Sequence, residues 1–144
     1  MNIYAERSSV CAGDDCTAPN AAELFYTEDT KLSYFLNTVS AYVPGFSEKQ
    51  HTIWAIENEG HPIAFLESDG KRSYAGILAI DDIPVKEIND QRIYCRYFFD
   101  FQGQLCTPLK AFINDSWKAS HPGCSTLLDY VKAYYELPVE DRWG

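Results

Sequence analysis

The chain has 144 residues, 46% hydrophobic and 15% aromatic, with 21 acidic against 12 basic residues and a net charge of −9. That length fits one domain able to bury a core without disulfides, and the aromatic content excludes a disordered chain. The negative charge disfavours phosphate-rich or anionic-lipid partners, which select an electropositive footprint, and leaves a basic protein as the natural partner.

The first ten residues, MNIYAERSSV, show no leader pattern of basic then apolar residues. No apolar run approaches the roughly 18–20 residues of a membrane span, so the expected compartment is the cytoplasm. Ile3 to Ala5 reads as a short strand, and 8–22 (SSVCAGDDCTAPNAA) as an irregular arm of small and polar residues. Leu32, Phe35, Leu36, Val39 and Val43 fall on one helical face and predict a helix over 30–43. Asp29 or Thr30 would cap it and Pro44-Gly45 end it. Three β-rich runs follow, over 51–57, 62–67 and 72–80, with Asp69-Gly70 as a hairpin turn between the last two.

Residues 92–106, RIYCRYFFDFQGQLC, give the clearest alternation. Ile93, Cys95, Tyr97, Phe99 and Phe101 form an apolar face, and Arg92, Tyr94, Arg96, Phe98 and Asp100 a mixed one, with Gly103 as a bend or bulge. Thr107-Pro108 opens a second helix with Leu109, Phe112, Ile113 and Trp117 inward. His121-Pro122-Gly123 breaks it. A third helix starts at Ser125, carries Leu127, Leu128, Val131, Tyr134 and Tyr135, and stops at Pro138. The order predicts an α+β fold: one domain over 1–144, an antiparallel sheet of about five strands covered by about three helices.

Little in the chain points to catalysis. Cys11 and Cys16 form a C-x4-C pair with no second pair of ligands nearby, so no zinc site is expected. Five cysteines, an odd number, read as mostly free buried thiols. Cys124 could pair with His121 or His61, but the sequence shows no group to orient the base or hold an oxyanion. Glycine-rich phosphate loops are absent. Asp14-Asp15, Asp81-Asp82 and Glu140-Asp141 read as solvated turn residues in preference to acid–base pairs. No catalytic, cofactor-binding or metal-binding residue is therefore assigned. Trp143, near the end of the chain, would pack back on the domain or stand free of it.

Charge placement says more. Residues 1–30 carry six acids and one base, and 47–90 carry nine acids and four bases. Glu57, Glu59, Glu67, Asp69, Asp81 and Asp82 lie at or near predicted strand ends. If alternate turns share one edge of the sheet, several of them line one electronegative surface, with Trp54, Tyr74 and Phe98 as aromatic anchors. The alternative is a scattered, solvated rim.

With KLSYFLNTVSAYVPGF and RIYCRYFFDFQGQLC in an acidic, aromatic-rich α+β chain, the sequence resembles the immunity proteins of bacterial contact-dependent growth inhibition systems. Within these it is most similar to the partner of a ribosome-directed, colicin-like RNase toxin. The resemblance implies no enzymatic activity and a one-to-one complex with a basic nuclease domain, whose active or RNA-binding surface would be covered. It carries no residue over position by position. Two other readings fit the same residues: another acidic protein-binding module, such as a phage-encoded inhibitor or an adaptor, and a small enzyme built on Cys124, His121 or the acid pairs.

Overall fold

The computed structural model describes residues 1–8, 20–44, 50–68 and 73–138. Its strands are β1 (Asn2–Arg7), β2 (Ala21–Phe25), β3 (Gln50–Asn58), β4 (His61–Ser68), β5 (Ala75–Leu78), β6 (Arg92–Phe101) and β7 (Gln104–Leu105). Its helices are α1 (Leu32–Tyr42), α2 (Thr107–Phe112), α3 (Asp115–Ser120) and α4 (Leu127–Tyr134), with 3-10 turns at Val85–Glu87 and Asn89–Gln91. The strands form one sheet in the order β2-β1-β6-β3-β4-β5, and β7 folds back on the end of β6. Neighbours are antiparallel except β1 and β6, which run parallel with Tyr4 opposite Arg92 and Arg7 opposite Cys95.

The α+β class holds, but the sheet is mixed, and the described residues give seven strands and four helices. Three local features account for the difference. Ala21 and Ala22, assigned to the irregular arm, begin β2. Gln102 and Gly103 both have positive φ (51° and 87°), so Gly103 closes a two-residue hairpin instead of bulging a continuous strand. Asn114 accepts a hydrogen bond from the Trp117 amide and caps a new helix, so the predicted second helix is two short ones.

Period-two alternation gives the sheet two faces, and both bury apolar surface. Leu32, Phe35, Leu36 and Val39 of α1 pack over Ile3, Trp54, Ile56, Leu66, Ile93 and Cys95 on the first face. Leu109, Leu127 and Val131, from α2 and α4, pack over Ile53, Ala55, Phe65 and Phe98 on the second. A large side chain buried in this way contributes roughly 1.5–3 kcal/mol. The mixed face predicted for β6 is thus a core face in its second half, at Phe98. Between β3 and β4, Glu59 (φ 54°) and Gly60 (φ 81°) both take the left-handed conformation. Such a two-residue turn matches the twist of paired strands.

Candidate functional site: an acidic end and an uncovered sheet wing

Strand direction decides which loops meet. The β3–β4 turn, the exits of β2 and β5 and the entry to β6 all lie at one end of the sheet. That end carries Glu28, Asp29, Glu59, Asp81, Asp82, Glu87 and Asp90, against Lys31, Lys86 and Arg92. Hydrogen bonds hold its loops together. Asn58 Nδ2 donates to the carbonyls of Asn89 and Arg92 at 3.0 and 2.9 Å. Gln91 Nε2 donates to the carbonyls of Val85 and Ile88, and Tyr26 donates its hydroxyl proton to the Gln91 side chain. Lys86 reaches Glu28 at 3.5 Å in an exposed pair that adds little stability.

Of the acids predicted as a surface, Glu59, Asp81 and Asp82 meet at this end. Glu59 and Asp81 are exposed. Asp82 serves the fold: its carboxylate accepts from the Ser33 amide at 2.8 Å and the Ser33 hydroxyl at 2.6 Å. It therefore caps α1 from 49 positions away in the chain. Asp29 and Thr30, the expected caps, do not: the Thr30 hydroxyl accepts from the Thr27 amide instead.

The hydrogen bonds from Ser33 hold the Asp82 carboxyl below its ordinary value of 3.8. A depressed folded value means the contribution is complete above that ordinary value and is lost as pH falls through the lower, folded one. Melting curves of the wild type and Asp82→Asn should therefore converge as the pH is taken from about 4 downward. A constant gap between the two curves would count against the cap.

Glu57 is placed differently from the expectation. It lies on the second sheet face and is only 5% exposed. Arg96 donates to it through Nε at 2.8 Å and through a terminal nitrogen at 3.3 Å, and the Tyr135 hydroxyl donates to the same carboxylate. Burial first, and then the bond to Glu57, push the Tyr135 phenol above its ordinary range. Glu57 thus ties the end of α4 to β3 and β6. Glu67 sits toward the opposite end of the sheet, where His51 Nε2 donates to it at 2.8 Å. Asp69 lies outside the described residues, as do Cys11, Cys16, Asp14-Asp15, Glu140-Asp141 and Trp143.

Two of the expected aromatic anchors belong to the interior, and the third, Tyr74, is half-buried. Trp54 is 1% exposed and Phe98 fully buried. Trp54 Nε1 donates to the Tyr74 hydroxyl at 3.2 Å, which donates to the Pro44 carbonyl at 2.8 Å. This chain of bonds satisfies a buried indole and holds α1's exit against β5's entry. Trp54 and Phe98 reach no binding partner while the domain is folded.

Other aromatics take the exposed position. Among the described residues, α2 and α4 cover the second face over β3, β4, β5 and the later half of β6 and bury nothing on β1 or β2. On that wing Tyr4 is 37% and Phe25 66% exposed, beside exposed Asn2, Glu6 and Glu23. Arg92 lies over the Tyr4 ring at 5.3 Å and Arg96 over the Tyr94 ring at 5.1 Å. A cleft of about 180 Å³ opens here between Tyr4, Glu6, Glu57, Glu59, Arg92 and Tyr94, and joins the wing to the acidic end. The alternation of Asn2, Tyr4 and Glu6 with Ile3 and Ala5 was the sequence signal for this surface; nothing in sequence said that its outer face is left uncovered.

The residues considered for catalysis take other roles. The His121 ring stacks on Trp117 (centroids 4.1 Å apart, 13° between planes), and its Nδ1 meets the Trp117 carbonyl at 2.9 Å. Cys95, Cys106 and Cys124 are buried, and burial pushes the Cys95 thiol up to about 12. Among the described residues no three His, Cys, Asp or Glu side chains group to hold a metal ion, and no helix is long and apolar enough to cross a membrane. Comparison with protein-family models, curated proteins and solved structures found no match.

Proposed function

We propose that the chain is an immunity-type binding protein that acts in the cytoplasm and neutralises a basic toxin domain, in particular a nuclease, by covering its active or RNA-binding surface. One observation carries this reading: carboxylates from three separate connections, β2–α1, β3–β4 and β5–β6, converge at a single end of the sheet. A field of that sign steers a cationic partner and speeds encounter. A surface that binds RNA is itself cationic, so occluding it calls for such a field.

Affinity purification from the native host, with mass spectrometry of the co-purifying chain, is expected to recover one basic protein in a one-to-one complex. Its association rate constant should fall about tenfold or more between low and physiological ionic strength, while dissociation changes little. An acidic or neutral partner, or association indifferent to salt, would overturn the proposal.

A further inference from the structure

We propose that the uncovered wing formed by β1, β2 and the start of β6 is the interface core, and that its cleft receives a Lys or Arg side chain of the partner. This rests on the binding function proposed above and names its contact surface. The wing has the makeup of an interface centre: exposed Phe25 and Tyr4, half-buried Tyr94 and two arginines on aromatic faces. Interface cores are enriched in aromatic residues and Arg, with charged residues at the rim. The acidic end supplies that rim on one side, through Glu59 at the mouth of the cleft.

The cleft's chemistry selects a cation. Three carboxylates line it, from Glu6, Glu57 and Glu59. Arg96 and Tyr135 already occupy Glu57, whereas Glu6 and Glu59 are exposed, and Glu59 has a 3.5 Å contact with Asn89. Arg92 is the cation among the lining residues. A long basic side chain would lay its methylenes on Tyr4 and set its head group between Glu6 and Glu59. At about 180 Å³ the cleft falls below the roughly 300 Å³ at which small-molecule pockets begin, so one side chain fits it better than a free ligand.

A photoreactive benzoyl-phenylalanine placed at Tyr4 or Phe25 in the native host tests the surface. Tyr34 of α1 and Phe112 of α2, 71% and 40% exposed, serve as control positions. Positions 4 and 25 should cross-link to one basic chain and the controls should not. With that chain purified, Glu6→Gln should weaken binding about tenfold, and binding unaffected by that change would overturn the assignment of the cleft. Cross-links to a basic chain at the control positions alone would overturn this surface and leave the binding function standing. Cross-links at 4 and 25 to an acidic chain or a second copy would overturn the occupant. The absence of a basic adduct at all four positions would overturn both proposals.

Discussion

Arg96→Met is expected to destabilise the protein by about 2–4 kcal/mol, although Arg96 is a half-exposed residue on a sheet. The reason is what it leaves behind. Glu57 is 5% exposed, and its carboxylate would be left with the hydroxyl of Tyr135. Breaking a fully buried pair costs about 3–5 kcal/mol, because an uncompensated charge stays in the interior. The Arg96 side chain is 40% exposed, so water already screens part of the pair, and the lower range follows. Replacing both partners, Glu57→Leu with Arg96→Met, should recover part of the loss. Urea unfolding of the two single variants and the double variant measures this, and a single-variant loss under about 0.5 kcal/mol would show that Glu57 is solvated after all. Charge reversal at Glu57 is accordingly a test of folding, not of recognition.

Recognition is tested at the acidic end instead. Reversing Glu59, Asp81, Glu87 and Asp90 to Lys should slow partner association about a hundredfold and flatten its salt dependence. All four are exposed, and the structure gives none of them the buried or capping role of Glu57 or Asp82. Glu59 sits at φ 54°, a strain that Lys inherits unchanged from Glu, whereas Asp90 sits at φ 57°, which Lys tolerates less well than Asp. A urea midpoint lowered no further than Asp90→Lys alone lowers it, with a much lower association rate, is the expected pair of results. If the association rate is unaffected, the acidity serves solvation alone.

The sequence made some of this legible and hid the rest for identifiable reasons. The face of α1 could be read because Leu32, Phe35, Leu36, Val39 and Val43 obey one period, and all five are buried. Strands β3 and β4 could be read as short continuous apolar runs bounded by turn residues, and β6 by its alternation. The cap of α1 could not, since Asp82 comes from a loop whose approach depends on the whole sheet. The Glu59-Gly60 and Gln102-Gly103 turns were obscured by a first residue that rarely takes left-handed backbone. The site was half legible. Clustering of turn acids was foreseeable from alternating strand direction, but Glu28 and Asp29 joined them through the β1–β2 hairpin, whose second strand lacked a strong pattern. Aromatic exposure was not legible, because a sequence shows that an aromatic lies on a strand, not which part of the face a helix will cover. Trp54 and Phe98 were covered, whereas Tyr4 and Phe25 were not.

The place of β6 in the sheet sets an order on synthesis. It is the strand through which the β1–β2 hairpin and the β3–β4–β5 meander are joined, yet it follows both in the chain. While the polypeptide is being made, each unit waits with an open edge until Arg92 to Phe101 has emerged from the ribosome. Closing β1 against β6 then joins positions 4 and 92, a contact of high sequence separation, and such closures are slow. The closed sheet therefore forms only after most of the chain has been translated.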